Sequence, residues 1–582
     1  MPEDIRTYEN LKQEILESIV EKKFLVFCGD FPYKDGNILQ DKLIELHNLG
    51  IIDVVSEFNQ LQNAGPHKTN FFPIRHIFEK ILPHIQADVR ATAFCVSKLN
   101  NEAGQDMVAG TIVDQFAEFC KQNIQLTEDL LELALTEPKL KRFLTLALVS
   151  GMHFDSPKYL SLAMKLIKET SDDDIKAQAI ASLRFATPFD AQTVDEIVNS
   201  INEQLDISVT DLISANICLV VEKLYFIAEY RQQAIIIFRR IFTIAEDLTY
   251  YRLAYMLDRF KQEDSDLVSE VFQVLQRISP NQAGTLQIID WASDQLIIHG
   301  HFRQLLEFIE FLLKNNQEVE IGKTFSSFSR CLLRDPQKLN QTTTRWLIAD
   351  SFYLRQAVGD IFSLHADDIQ GVVFDRALLT EKVDAVFLAK RAIGFLYVFP
   401  RQCASFLVSV LAEAEDSQKN DVVNYIRDPL LLSFPGLTQK TITSLLPTLS
   451  PATVSLLQQI IDEEKEYATQ LIDIRNSTQL GPSESQREAC RRKNIQWQKD
   501  VSEKAREASA FMQLFHTSII LYHGRMVSRV KNTLSGDSNY RRIETSMNHF
   551  SHSVEFPMLS ILDPLHERFL LFQCRFSEKN EP

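Results

Sequence analysis

From about residue 100 to 420, apolar side chains recur at the three-and-four spacing that gathers them on one side of a helix. Val108, Ile112, Phe116 and Phe119 step by four, four and three, and Val194, Ile197, Val198, Ile201 and Leu205 line a helix that begins near Asp190. Leu267, Val268, Val271, Phe272, Leu275 and Ile278 form a broader stripe, as do Phe302, Leu305, Leu306, Ile309, Leu312 and Leu313. Stripes of this width must be covered by another element. Glu137-Pro138, Ser156-Pro157, Thr187-Pro188, Ser279-Pro280, Asp335-Pro336 and Phe399-Pro400 punctuate them, because a residue before proline is pushed out of the α region while proline itself suits a first turn. The spacing predicts helix pairs over 138–169, 172–203, 208–244, 248–277, 281–315 and 318–356, a repeat of about 35 to 45 residues. One pair cannot bury its own stripe, whereas stacked pairs can. The expected fold class is all-α: an irregular α-solenoid of stacked helix pairs, with a small C-terminal β-hairpin module.

The ends read differently. An opening helix over Tyr8 to Val20 leads to Phe24-Leu25-Val26-Phe27-Cys28 and then Gly29-Asp30-Phe31-Pro32, which fits either a short strand or a buried helix end. Residues 1–85 are therefore expected to be an N-terminal cap or small domain, with the repeat array over 86–450. Past Ser450-Pro451, one helix carries Val454, Leu457, Ile461, Ala468 and Leu471; a second, from about Glu484 into the 520s, has the seam Ala505, Ala508, Met512, Phe515, Ile519 and Tyr522. Residues 451–530 thus read as a basic antiparallel helical hairpin. In 531–582, Val554 to Leu562, the turn 563–567, and the period-two alternation of Arg568 to Phe576 predict a β-hairpin.

Two segments carry a more particular pattern, an Asp, an aliphatic and a basic residue ahead of a small one: Asp88-Val89-Arg90 with Ala93, and Asp174-Ile175-Lys176 with Ala179 and Leu183. This resembles the second helix of a HEAT repeat. The resemblance implies helices stacked as repeats, with the Asp and the basic side chain forming a ladder between neighbours and the Asp complementing the positive end of its own helix. It covers these two stretches alone.

Composition agrees with helices. Only 17 glycines and 19 prolines occur in 582 residues, about half of ordinary usage, so the positive-φ turns that β-sandwiches and barrels consume are scarce. The eight cysteines are scattered and no two form a C-x-x-C pair, which points to reduced, buried thiols. Met1-Pro2-Glu3-Asp4 lacks the basic flank of a secretory signal, and the apolar run from Ile217 is broken by Glu222-Lys223, the next by Arg239-Arg240. These features lead to the expectation of a cytoplasmic protein that does not engage a membrane.

Net charge is −17, which opposes broad binding to polyanions. Between Arg475 and Arg542, however, 13 Lys/Arg face 6 Asp/Glu. Arg487, Arg491, Arg492, Lys499, Arg506, Arg525 and Arg529 are the candidate partner-binding residues of this strip; Arg492, Lys499 and Arg506 recur every seventh position and so share a helix face. A protein partner is the first expectation and nucleic acid the alternative. Plain solvation competes with both, because Glu488 and Arg492 stand four apart, as do Lys499 and Glu503.

No chemical motif stands above background. Gly322-Lys323-Thr324 ends like a phosphate loop, but Gln317 replaces the required glycine, and Glu318 and Glu320 would repel phosphate. His549 and His552 could chelate a metal on a helix, with His516, His523 or Asp563 as a third ligand, yet a solvated turn in a Ser/Asn-rich segment explains them more simply. That region motivates the second alternative, an effector or enzyme with a His-rich C-terminal site. No cofactor is expected. The leading expectation is a scaffold or adaptor that binds a protein along the surface of its helical stack.

Overall fold

The structure, a computed structural model, describes residues 8–31, 36–64, 70–104, 110–186, 190–207, 209–316, 319–364, 371–378, 384–475, 483–489, 491–493, 495, 496, 499, 525–531, 540–546, 555 and 557–578. The chain divides into two compact units, one of Pro2–Val319 and one running from Glu320 to the C-terminus.

The first unit is a succession of helices. It opens with α1 (Tyr8–Val20), α2 (Phe24–Asp30), α3 (Gly36–Asn48), α4 (Val54–Phe58), α5 (Phe71–Ile81), α6 (Val89–Ala103), α7 (Thr111–Cys120) and α8 (Ile124–Thr136). It continues with α9 (Leu144–Phe154), α10 (Ser156–Glu169), α11 (Asp173–Leu183), α12 (Ala191–Leu205) and α13 (Asp211–Tyr225). The last five are α14 (Arg231–Ile244), α15 (Asp247–Met256), α16 (Ser265–Leu275), α17 (Ala283–Ile298) and α18 (Phe302–Asn315). The ambiguous Phe24 segment is thus helical: Phe24, Leu25 and Cys28 are buried at helical spacing. Asp155, Asp172 and Asp190 accept backbone N–H groups at the starts of α10, α11 and α12, a cap worth about 1 kcal/mol each. Asp172 does so twice, accepting from both Asp174 N and Ile175 N.

Packing follows two rows. α5, α7, α9, α11, α13, α15 and α17 each touch the next in that series; α4, α6 and α8 do likewise, as do α10, α12, α14, α16 and α18. The predicted stripes supply the buried face: Val194, Ile197, Val198 and Ile201 on α12, and Leu267, Val268, Val271, Phe272 and Leu275 on α16, are all buried. Each large apolar side chain so covered contributes about 1.5–3 kcal/mol.

Polar bonding repeats with the helices. Asp211 on α13 accepts from Leu248 N at 2.6 Å and Thr249 N at 3.1 Å, so it caps α15, the next helix of its row. Lys223 Nζ donates to Arg184 O at 2.7 Å, Arg277 to Phe242 O at 3.1 Å, and Arg240 to Asp206 at 2.6 Å. Buried Asp264 collects Tyr225, Arg231 and Lys261 N. Among the described residues, neither motif aspartate, Asp88 nor Asp174, makes the ion pair between neighbouring repeats that the resemblance implies. Asp88 caps α6 while Arg90 reaches Glu137 at 2.6 Å, and Asp172, not Asp174, pairs with Lys141 of the preceding repeat.

The second unit continues with α19 (Ile321–Thr324), α20 (Ser326–Arg334), α21 (Pro336–Ile348), α22 (Phe352–Leu364), α23 (Ala385–Leu396), α24 (Pro400–Glu413), α25 (Asp416–Tyr425), α26 (Pro435–Leu445) and α27 (Pro451–Arg475). Strands β1 (Arg525–Lys531) and β2 (Tyr540–Ser546) pair antiparallel, and α28 (Leu559–Leu562) and α29 (Pro564–Arg575) close the chain.

The expected β-hairpin over Val554 to Phe576 is wrong. Asp563 accepts from His566 N at 3.0 Å and Pro564 occupies the first turn, so this chemistry starts a helix where the alternation predicts a hairpin turn. The alternation misled because Phe569 to Phe576 is almost continuously apolar, and such a run satisfies a period of two or of 3.6 equally well. α29 lies on α23. Arg575 Nε donates to Gly394 O at 2.8 Å, Arg391 donates to Arg575 O at 2.9 Å, and Tyr397 reaches buried Glu567 at 2.9 Å. Gly394 permits this approach: a Cβ there would stand 2.9 Å from Arg575 N. Just upstream, Glu555 accepts from Gly436 N and Leu437 N, both at 2.8 Å, and caps α26.

Candidate functional site

The most distinctive exposed chemistry of the first unit lies toward the C-terminal ends of α11, α13 and α15. Each helix buries its row-facing side and leaves a strip outside. On α15, Tyr250, Leu253 and Ala254 are buried, while Leu248, Tyr251 and Tyr255 point outward at spacings of three and four. Phe185 follows α11 and Phe226 follows α13, both about 45% exposed, and Trp291 is equally open on α17, the next helix of the row. Tyr, Trp and Arg are the side chains that protein interfaces favour.

Among the aromatics sit guanidiniums. Arg184 stacks over Phe185 at 4.8 Å and Arg252 lies 5.9 Å from the Tyr251 ring centroid. Arg259, in the turn after α15, bonds Glu222 of α13 at 2.5 Å. Arg184, Arg252 and Arg259 all act electrostatically on Glu222, and Arg252 and Arg259 act on Arg184. Burial pushes the Glu222 carboxyl up against the pull of the arginines. Burial also lowers Arg184, and the charges of Arg252 and Arg259 lower it further while Glu222 opposes them. Lys223 is lowered by burial and by Arg184. Helix C-termini carry about half a negative charge, which helps hold cations here. Glu222 nevertheless faces three guanidiniums, with Asp258 3.9 Å from Arg259, and among the described residues neither Arg184 nor Arg252 has an ion-pair partner within 4 Å.

Sequence reasoning missed this group. Its one visible signal was Glu222-Lys223 interrupting an apolar helix, which was weighed only against a membrane span. Tyr251, Tyr255 and Trp291 fall off the buried stripes, and nothing in a single sequence says that three helices gather Arg184, Arg252 and Arg259.

The predicted basic strip is placed only in part. Arg487, Arg491, Arg492 and Lys499 are exposed on helical residues. Arg492 Nε bonds Glu488 at 3.2 Å and Arg491 stands 3.9 Å from the same carboxylate, so solvated i,i+4 and i,i+3 pairing accounts for these two. Arg525 and Arg529 lie on β1, where Arg529 registers opposite Arg542. Arg506 lies outside the described residues, as do His516, His523, His549 and His552. Asp563, offered as a metal ligand, is instead the cap of α29. No group of three or more ligand-type side chains gathers among the described residues. Gly322-Lys323-Thr324 belongs to α19, with Lys323 paired to Glu320 at 2.6 Å.

A cleft of about 1040 Å³ lies among α2, α3 and α5, lined by Phe31, Gln40, Phe72, Arg75, His76 and Glu79. Its charged groups answer one another: Arg75 bonds Glu79 at 2.9 Å, and Thr111 Oγ1 donates to Glu79 at 2.7 Å. The seven described cysteines are buried, and burial raises the thiols of Cys28, Cys218 and Cys403, that of Cys574 to about 11 and those of Cys95 and Cys120 to about 12. They are poor nucleophiles near neutral pH.

Taken with the fold, these surfaces define an all-α helical-repeat protein with an exposed arginine–aromatic face. No protein-family model matches the chain, and no curated protein matches it. Among solved structures, the crystal structure of the karyopherin Kap121p bound to the SUMO protease Ulp1p overlays 81% of this chain at 12% identity, with a TM-score of 0.25. The overlay takes in 51% of that chain, so this chain spans about half its length.

Proposed function

We propose that this chain is a non-enzymatic, cytoplasmic scaffold or adaptor with HEAT-like repeats, and that it binds a protein partner along the outward face of α11, α13, α15 and α17. The observation that carries the reading is the exposure of Tyr251, Tyr255 and Trp291 on successive helices of one row, and of Phe185 and Phe226 just past the ends of the two before them. Aromatic rings exposed along one row of packed helices are the kind of surface that protein partners bury. Rings held on packed helices lose little further freedom on binding, which suits them as anchors. The basic residues Arg487, Arg491, Arg492, Lys499, Arg506, Arg525 and Arg529 form a second proposed contact region for the same kind of partner. No helix among the described residues is long and apolar enough to cross a membrane.

The test is affinity capture with the full chain and with Tyr255→Ala/Trp291→Ala. The expected result is a stoichiometric protein retained by the parent chain and lost by the double variant, with unchanged melting of both. Equal recovery by the two chains, or none by the parent at low salt, would overturn the reading.

A further inference from the structure

The arginine group is electrostatically incomplete. Arg184, Arg252 and Arg259 act on Glu222, which Arg259 bonds at 2.5 Å; Asp258 lies 3.9 Å from Arg259, and Lys223 donates to the Arg184 carbonyl at 2.7 Å. This is a positive spot on a chain of net charge −17. Bringing like charges together in a half-buried place opposes folding, and the cation-rich face would be relieved by anions from outside. Arg184 and Arg252 lie against the Phe185 and Tyr251 rings, and exposed Phe226 and Tyr255 belong to the same stretch of the row, just past α13 and on α15, so an anion that arrives with apolar groups suits this face.

We propose that Arg184 and Arg252 anchor an acidic segment of the partner protein, with its carboxylates taken by the guanidiniums and its apolar side chains laid against Phe185, Phe226, Tyr251 and Tyr255. This rests on the scaffold reading above and deepens it by naming the partner's chemistry. A nucleic acid fits less well: its affinity comes from neutralising many phosphates in a row, whereas two guanidiniums without ion-pair partners, set in an acidic molecule, suit a short acidic stretch. Planar guanidiniums also match carboxylates in two-point contact.

The probe is a fluorescein-labelled 12-residue peptide alternating Glu-Asp with Phe and Leu, titrated with the full chain and read by anisotropy. The same peptide with Gln and Asn in place of its acids, and a 12-nucleotide single strand, serve as comparisons. Binding of the acidic peptide should weaken about 10-fold in the neutral peptide, about 10-fold in Arg184→Gln/Arg252→Gln, and further as salt rises from 50 to 300 mM. The double variant should melt no lower than the parent, because it removes mutual repulsion; a lower melting temperature would count against the electrostatic argument itself. Equal binding of acidic and neutral peptides, full binding by the double variant, or preference for the oligonucleotide would each overturn the proposal. If the partner captured through Tyr255 and Trp291 persists while the acidic peptide fails, only the acidic chemistry falls.

Discussion

The two units use the same helices but close differently. In the first, the side-chain bonds that reach further than a connecting turn join residues 30 to 47 apart among the described residues, from Lys158–Glu128 to Arg90–Glu137. The second has this period too, in Val372 N to Ser405 at 33 residues and Arg427–Glu463 at 36. To it are added bonds spanning 118 to 184 residues, from Leu437–Glu555 to Arg391–Arg575. A stack held by nearest neighbours shares out its stability repeat by repeat, whereas a return segment ties one repeat to a distant part of the chain. The contrast also shows in burial: α29 covers Glu567 and Cys574 and leaves Leu565, Phe569 and Phe572 exposed. Polar pairing, rather than its greasy side, seats that helix on α23.

The largest expected effect comes from breaking the return. A chain ending at residue 554 would leave Tyr397 without its Glu567 acceptor and remove the Glu555 cap from α26, each loss costing about 1–3 kcal/mol. Calorimetry should show the second unit melting several degrees lower and the first unchanged. A smaller and more local effect is expected from Asp211→Ala, which strips α15 of its cap and should cost about 1–2 kcal/mol in the first unit alone. The smallest concerns acid. The Lys141 ammonium, and then backbone N–H groups of Ile175 and Asp174, hold the Asp172 carboxyl below its ordinary value. A depressed carboxylate stabilises the fold above the ordinary carboxylate range and loses that contribution as pH falls through its folded value. Exposure limits it to a fraction of about 1 kcal/mol, so the parent should lose slightly more stability than Asp172→Asn between pH 5 and pH 3, in urea titrations.

Much of the architecture was legible because helix stripes are local. Val194 to Ile201 and Leu267 to Leu275 state their own period, Asp190 and Asp335 announce helix starts, and α9–α10 through α17–α18 fall where stripes and prolines placed them. The return of α29 was not legible. Its buried face is Glu567 and Cys574, and the partners Gly394 and Tyr397 lie some 170 residues away in sequence. The arginine–aromatic face was hidden for the same reason, since Arg184 and Arg259 belong together only after three repeats have stacked. Charge counting points to Arg491 and Arg492 instead, whose surplus is partly answered by Glu488, three and four residues away respectively.

Hydrogen exchange read by mass spectrometry on the parent, Asp211→Ala and the chain ending at 554 tests the central distinction most directly. Faster exchange confined to α13–α15 in the first variant, and to α23–α26 in the second, is the predicted result. Uniform acceleration across residues 8–475 in either variant would contradict it, because helices bonded only to their neighbours cannot pass one lost contact to the whole chain.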